Sequence, residues 1–277
     1  TQATENGPTV NGTWTLVDGA DGVDSIDVTV GTDTQTITLP EGESAVFSLT
    51  EGTLTVLANG TWTFDPAANL DNDITQSVSF TVTATDADSD EDADSHTIEV
   101  LEGGEPTGSA PIELTVDDEN LADGSNPATP VTADADLTFT AGSDNLTTFV
   151  FGSTAGLDPS LTWTPSAGGT VLTGADERGD VIRLTLTAPA SINADTSGTV
   201  NVEVELLDNY DTHPLFTQDD TFDLGSVNVE ASDLDGNTVT GTVNVNVSDD
   251  VPDVEVLGPT QATENGPTVN GTWTLVD

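Results

Sequence analysis

The sequence predicts an all-β protein made of antiparallel β-sandwiches. Three observations lead to this prediction: apolar and polar residues alternate with a period of two, no segment shows the 3.6-residue period of a helix, and Gly, Asn and Asp turns separate the alternating runs by about 8–12 residues. Strands buried on one face of an antiparallel sheet produce this alternation. Thr, Val and Ile, which dominate the runs, also suit a pleated surface better than a helix.

The alternating runs can be followed in chain order. Residues 54–64 predict a hairpin, because apolar residues alternate on both sides of the turn Ala58-Asn59-Gly60. In residues 78–84, Val, Phe and Ala share one face while Ser and Thr share the other. Residues 200–206 and 243–247 alternate Val or Leu with Asn or Glu in the same way. Each run is therefore predicted to be a strand with one face in a core.

The chain also repeats itself. Residues 260–277 are identical to residues 1–18, and the two copies begin 259 residues apart. We therefore expect tandem copies within a longer protein, and such near-identical copies are more typical of spacers than of enzymes. The absence of methionine agrees with an internal fragment.

Two junctions containing Pro and Gly, at residues 101–108 and 248–259, divide this period. They predict one sandwich domain at 1–104, a larger sandwich domain at 105–257, and the start of the next copy at 258–277. Alone, this last segment is too small to bury Trp273 and is expected to fray unless it docks on a neighbour, in which case the domain boundary would be shifted.

Charge excludes several functions. Fifty Asp and Glu face two Arg and no Lys, for a formal net charge of −48. Nucleic-acid binding and docking on anionic membranes both need a basic face, so neither is expected. No apolar run is long enough to span a membrane. The absence of cysteine excludes disulfides, thiolate metal sites and Cys nucleophiles.

Several segments resemble the extender-region repeats of bacterial RTX adhesins, including the immunoglobulin-like or VCBS-like kind. The resemblance covers nearly the whole chain and is carried by Asn-Gly-Thr-Trp-Thr at 11–15 and 59–63, by Phe-Thr-Val-Thr-Ala-Thr-Asp-Ala-Asp at 80–88, and by Val-Glu-Ala-Ser-Asp-Leu-Asp-Gly at 229–236. It implies immunoglobulin-like domains in a linear rod, stiffened by Ca²⁺. The C-terminal Gly-Gly-x-Gly-x-Asp nonapeptides of the family are absent.

The resemblance also implies a location and a role. Such proteins are exported by type I secretion and held at the Gram-negative outer membrane, where the extender projects a distal ligand-binding domain in adhesion and biofilm formation. The partners implied are the neighbouring repeats of the same chain, which is otherwise monomeric. No small-molecule substrate is expected.

Carboxylates cluster where Ca²⁺ could bind. Ca²⁺ takes six to eight oxygen ligands from adaptable loops. An EF-hand is excluded, because the sixth position counted from Asp86 is Glu91 rather than Gly. The alternative is a solvated acidic surface. The three clusters are Asp86, Asp88, Asp90, Asp92 and Asp94, predicted to share one loop; Asp233, Asp235 and Asn237; and Asp249, Asp250 and Asp253.

Immunoglobulin strand order predicts where these clusters meet. The hairpin loop before the last strand of a domain should face the preceding junction, whereas the loops after the first and fifth core strands should lie at the other end. At the first junction this predicts Asp233, Asp235 and Asn237 with Glu102, Glu105, Asp21, Asp24, Asp71 and Asp73. At the junction between copies it predicts Asp86, Asp88 and Asp90 with Asp249, Asp250, Asp253, Asp208 and Asp211.

Catalysis is not expected. No Gly-x-Ser-x-Gly elbow is present, and the parity of His96 places it on the apolar face of its strand. Trp14, Trp62 and Trp163 alternate with apolar partners and are predicted to lie in the core. Two other functions stay open: a carbohydrate-binding module, which exposed aromatic residues would favour, and the non-catalytic arm of a halophilic hydrolase, whose stability would respond to salt without preferring Ca²⁺ to Mg²⁺.

Overall fold

The computed structural model of the protein describes residues 1–17, 19–39, 44–71, 76–127, 131–210, 221–250, 253–258 and 261–276. Two separate hydrophobic cores form, one from residues 3–100 and one from residues 114–247. Within the described ranges, no helix is long and apolar enough to cross a membrane. The all-β prediction is confirmed.

The first sandwich packs a five-stranded sheet, ordered β1-β9-β8-β3-β4, on a four-stranded sheet, ordered β2-β7-β6-β5. The predicted hairpin is β6 and β7, in which Leu54, Val56, Trp62 and Phe64 are buried. The strands are β1 (Gln2–Thr4), β2 (Val10–Thr13), β3 (Ser25–Val30), β4 (Asp33–Thr38), β5 (Ala45–Ser48), β6 (Gly52–Val56), β7 (Thr61–Pro66), β8 (Gln76–Thr85) and β9 (Glu91–Leu101).

The second sandwich packs a four-stranded sheet, ordered β10-β18-β17-β12, on a five-stranded sheet, ordered β11-β16-β15-β14-β13. Two short 3-10 helices, Asp118–Asn120 and Thr154–Gly156, follow β10 and β12. The strands are β10 (Ile112–Asp117), β11 (Thr132–Thr140), β12 (Thr148–Phe151), β13 (Thr162–Pro165), β14 (Val171–Ala175), β15 (Asp180–Thr187), β16 (Ser197–Leu206), β17 (Thr221–Ser232) and β18 (Thr238–Ser248).

The order β1-β9-β8-β3 in the first sandwich matches the order β10-β18-β17-β12 in the second, and this makes their ends equivalent. In each, a short opening strand runs parallel to the closing strand: Thr4 lies opposite Leu101 in the first, and Asp117 lies opposite Ser248 in the second. The next residue of each strand is acidic in both sandwiches. Equivalent acidic pairs therefore stand at the C-terminal end of each sandwich.

The C-terminal segment forms a hairpin with the residues that precede it. Strands β19 (Asp253–Leu257) and β20 (Thr272–Val276) pair antiparallel, with Leu257 opposite Thr272. Trp273 is nevertheless 68% exposed. The segment that repeats the start of the chain thus takes the residues before it as a strand partner.

Candidate metal centre between the two sandwiches

The first sandwich contributes two adjacent carboxylates, Glu5 and Glu102. The parallel pairing of β1 with β9 continues past the strands, because the Glu5 amide donates to the Leu101 carbonyl at 2.9 Å. The Glu5 side chain is only 2% exposed, and its Oε1 accepts a hydrogen bond from the Leu70 amide at 2.6 Å. Glu5 is therefore fixed in place, next to the exposed Glu102.

The loop between β11 and β12 brings the second sandwich against these carboxylates. The Ser143 amide donates to the Gly104 carbonyl at 2.8 Å, and the Asn69 amide donates to the Ser143 carbonyl at 3.1 Å. The Asn145 amide donates to Asn69 Oδ1 at 3.0 Å. These bonds connect the two sandwiches and hold the intervening residue, Asp144, over Glu5 and Glu102.

Three carboxylates from two sandwiches consequently converge. One oxygen each from Glu5, Glu102 and Asp144 lies within 4.8 Å of the others. Ca²⁺ binds oxygens at about 2.3–2.6 Å, so two ligands of one ion lie at most roughly 5 Å apart. The spacing thus fits a shared divalent cation.

The environment of Asp144 disfavours an uncompensated negative charge. Asp144 is 2% exposed, and among the described residues its Oδ1 has no hydrogen-bond partner. Burial, followed by the charges of Glu5, Asp235, Glu102 and Asp233, raises the pKa of Asp144 to about 7. Burial likewise raises the pKa of Glu5, and Glu102 adds to the effect. A buried carboxylate among like charges is costly unless a proton or a cation neutralises it.

The hairpin between β17 and β18 lies beside this group, as predicted. Asp233 Oδ1 accepts a hydrogen bond from the Asn237 amide at 2.8 Å, which closes the loop. Asp233 is buried, and both Asp233 and Asp235 act electrostatically on Asp144. We call Glu5, Glu102, Asp144, Asp233 and Asp235 the junction site.

A second acidic group lies at the far end of the second sandwich. Asp118 and Asp249 follow the paired ends of β10 and β18, so they occupy the positions that Glu5 and Glu102 hold in the first sandwich. Asp250 accepts from the Ser125 amide at 2.8 Å and from Ser125 Oγ at 2.6 Å. Burial, and then the charge of Asp249, raises the pKa of Asp118 to about 6. We call Asp118, Asp249 and Asp250 the C-terminal acidic cluster.

A third group lies at the opposite end of the first sandwich and corrects one prediction. Asp21 lies within 4.8 Å of Asp86 and Asp88, not beside Glu102, because the loop that carries Asp21 enters β3 next to the end of β8. Asp24, directly before β3, lies at that same end. The amides of Asp88 and Asp90 donate to Asp86 Oδ1 at 3.3 and 2.9 Å. We call Asp21, Asp86 and Asp88 the N-terminal acidic cluster.

Among the described residues, the other predicted ligands belong to no group of close carboxylates. Asp71 is exposed beside Leu70, and its carbonyl accepts from Gln76 Nε2 at 2.7 Å. Glu105 is exposed and belongs to neither described group of close carboxylates. Asp208 Oδ2 lies 4.0 Å from Arg178 Nη1, which offers it a cation within the protein. Asp73 and Asp211 lie outside the described residues, and only the backbone of Asp253 is described.

Sequence reasoning did not find three of the most buried acids: Glu5, Asp144 and Asp118. Glu5 is a single acid after a short strand, whereas Asp118 stands between Asp117 and Glu119, and in both cases only the parallel pairing reveals the partner. One sequence signal could have revealed Glu5 and Asp118 as site residues: Glu5-Asn6 and Asp118-Glu119 follow the first strand of their sandwiches at equivalent positions. Asp144 was hidden in the turn Gly142-Ser143-Asp144-Asn145, which carries one acid and no alternation.

Three tryptophans pack in or against the cores, and the two arginines lie at the surface. Trp62 is buried, and its ring centroid lies 5.1 Å from that of His96. Trp14 and Trp163 are half-buried against the cores, and their Nε1 atoms donate to main-chain carbonyls at 3.1 and 3.0 Å. Of the two arginines, Arg183 pairs across the sheet with Glu205.

Proteins similar to this chain are found among solved structures. No protein family matches the sequence, and no characterised protein matches it. The chain is similar to the fibronectin(III)-like modules of Clostridium thermocellum CbhA, at 10% identity and a TM-score of 0.24, over 90% of this chain and 89% of that one.

Two further solved structures match with similarly low sequence identity and TM-score. The chain is similar to the extracellular cadherin domains 1–4 of protocadherin gamma B7, at 10% identity and a TM-score of 0.29, and spans 57% of that structure. It is also similar to murine CEACAM1b, at 12% identity and a TM-score of 0.23, over 90% of this chain and 94% of that one. All three TM-scores are below 0.5.

Proposed function

We propose that this chain is a non-catalytic spacer whose sandwiches are locked end to end by Ca²⁺. The observation that carries the proposal is the convergence of Glu5 and Glu102 from one sandwich with Asp144 from the next, within 4.8 Å. Without a cation these carboxylates repel one another and favour separation of the sandwiches. With a cation they attract a common centre, and the hinge between the sandwiches loses freedom.

The residues present fit a hard divalent cation. Glu5, Glu102, Asp144, Asp233 and Asp235 would supply its oxygens, as Ca²⁺ prefers, and the buried Asp144 Oδ1 would gain the partner it lacks. The ion supplies positive charge between two acidic surfaces. The chain's own contribution is to fix the ligands: Leu70 holds Glu5, and the Ser143 and Asn145 bonds hold Asp144.

The two terminal clusters extend this scheme to a tandem array. The C-terminal acidic cluster occupies the position of Glu5 and Glu102, and the N-terminal acidic cluster comes from the same hairpin position as Asp233 and Asp235. When one copy follows another, the two clusters would together form a site like the junction site. The array would then be a rod with one kind of joint throughout.

The biological setting follows from the resemblance to extender repeats. We place the chain outside the cell, in a large adhesin that is exported by type I secretion and tethered at the Gram-negative outer membrane. There the rod would hold a distal ligand-binding domain away from the surface in adhesion and biofilm formation. The strongly acidic composition favours solubility in that setting.

Calorimetric titration of the full chain tests the metal. We expect Ca²⁺ to bind with a dissociation constant of about 10⁻⁴ to 10⁻³ M, as in extracellular modules, and Mg²⁺ to bind more weakly, because it demands smaller and more regular coordination. At ten times the dissociation constant, Ca²⁺ adds about 1.4 kcal/mol of stability per site. Equal stabilisation by Ca²⁺, Mg²⁺ and matched NaCl would instead indicate a halophilic surface.

A further inference from the structure

The first sandwich has an open edge where the second sandwich has a β-bridge. In the second sandwich, the segment before β10 pairs antiparallel with the end of β11: the Thr107 amide donates to the Thr140 carbonyl at 2.8 Å, and the Thr140 amide returns the bond at 3.0 Å. In the first sandwich, residues 14–17 continue from β2 but form no strand. Val17 is 94% exposed. The edge of the smaller sheet beyond β2 thus has no strand partner among the described residues.

A cleft follows this edge. Its larger part, of about 420 Å³, is lined by Thr13, Trp14, Leu16 and His96 among others. Its smaller part, of about 330 Å³, continues past Val17 to Asp92. We call the space between residues 13–17 and residues 91–96 the edge cleft. It separates the two sheets at the end that carries the N-terminal acidic cluster.

The C-terminal hairpin contains a second copy of this edge segment, and there the segment is paired. Residues 272–276 are identical to residues 13–17, and they form a strand with β19 beside them. Val256 lies opposite Trp273 and Val254 opposite Leu275. In the hairpin Val254 and Val256 are 55% and 77% exposed, because no core lies beneath them. Residues 272–276 are therefore strand throughout, whereas in the first copy only Thr13 lies in a strand and residues 14–17 do not.

We propose that residues 253–257 of one copy form the first strand of the sandwich that opens the next copy, and that the edge cleft is the slot for this strand. The pairing seen in the hairpin places Val256 opposite Trp14 and Val254 opposite Leu16. Trp14 and Leu16 are the half-buried members of the segment and Thr15 is exposed, so both valines would enter the cleft and Glu255 would face the solvent. The occupant is thus a second copy of this chain.

The register supports the same arrangement. Thr4 and Asp117 are equivalent positions. Thr263 is the copy of Thr4. The segment from Asp253 to Thr263 has the same length as the segment from Thr107 to Asp117. Thr107 pairs with the last residue of β11, and Asp253 pairs with Val276, the copy of Val17. The structural unit consequently begins at 253, and the predicted boundary at 257 would move by five residues.

The experiment compares three proteins: the full chain, the full chain with its own residues 251–259 added before Thr1, and the same extension carrying Val254→Asp and Val256→Asp. Hydrogen exchange is followed on fragments that run from residue 13 past residue 19, which distinguishes them from the identical tail. Exchange across Thr107 and Thr140, already paired, is the internal reference. All measurements are made with Ca²⁺ and without metal, so the strand proposal and the calcium proposal can fail separately.

We expect the extension to slow exchange across residues 13–17 by about tenfold or more, with the Asp-bearing extension restoring the original rate. The proposal is overturned if the extension leaves exchange unchanged, or if both extensions slow it equally. It is also overturned if a carbohydrate occupies the edge cleft of the extended chain, because the slot would then have another ligand.

Discussion

At the scale of single residues, Asp144 decides how the junction behaves. Its pKa rises to about 7, and it belongs to the second sandwich while Glu5 and Glu102 belong to the first. Its neutralisation therefore affects both the repulsion between the sandwiches and the binding of a cation that relieves it.

Asp144→Asn should separate these two effects. Without metal, the variant should be as stable as the parent or more stable, because one buried charge is removed. Its Ca²⁺ affinity at this site should fall about tenfold or more, which is roughly 1.4 kcal/mol. Thermal unfolding and calorimetry with and without Ca²⁺ measure both quantities. Asp180→Asn, at an exposed position of β15, is the matched control and should change neither.

The raised pKa values also predict a pH dependence. An unfolded carboxyl titrates near 3.9, whereas in the folded chain the pKa of Asp144 is about 7 and that of Asp118 about 6. Between these limits the folded state binds more protons than the unfolded state, so metal-free stability should fall as the pH rises from about 4 to 7 and then level off.

Urea unfolding of dialysed protein at about pH 5 and pH 8 tests this dependence. Saturating Ca²⁺ should suppress the decline, because the metal binds the deprotonated carboxylates. A metal-free midpoint that is higher at pH 8 than at pH 5 would show that these acids are not buried in the folded chain.

At the scale of elements, the linker between the sandwiches is more tightly fitted than its glycines suggest. A Cβ on Gly103 would collide with the Ser143 side chain and lie 2.8 Å from the Glu5 carbonyl oxygen, whereas a Cβ on Gly104 would meet nothing closer than 4.0 Å. Neighbouring glycines thus provide a matched pair of substitutions.

Gly103→Ala should push the Ser143 loop away from Glu5 and weaken Ca²⁺ binding at the junction site, while Gly104→Ala should leave it nearly unchanged. Backbone atoms yield less easily than the end of a flexible side chain, so the displacement has to be taken up by the contact between the sandwiches. Calcium titration of both variants gives the comparison. Equal affinities would mean that the linker does not set the geometry of the site.

Much of the element structure could be predicted from the sequence, and part of the site could not. Alternation marked the hairpin at 54–64 and the strand at 200–206, because one face of each meets a core. Asp233 and Asp235 could be assigned to the first junction from strand order alone. Asp21 could not be placed, since its position depends on how the loop before β3 passes the end of β8. Glu5 and Asp144 could not be predicted as site residues. Strand pairing brings Glu5 beside Glu102, and contacts between the sandwiches bring Asp144 to both.

At the scale of the whole molecule, the chain combines two independent cores with a charge of −48. The cores make each sandwich a rigid body, and the hydrogen bonds around Ser143 connect them through a small contact. Carboxylate repulsion across that contact extends the chain without making it stiff. In the proposed function, stiffness depends on a cation at the junction.

The absence of cysteine allows the most direct test of this claim. Val46→Cys and Glu203→Cys place one spin label on an exposed position of each sandwich, and electron–electron distance measurements give the distribution of separations between them. We predict a broad distribution in metal-free buffer that narrows to a single peak in millimolar Ca²⁺, and that stays broad when Asp144→Asn is added. A distribution of the same width with and without Ca²⁺ would contradict the account.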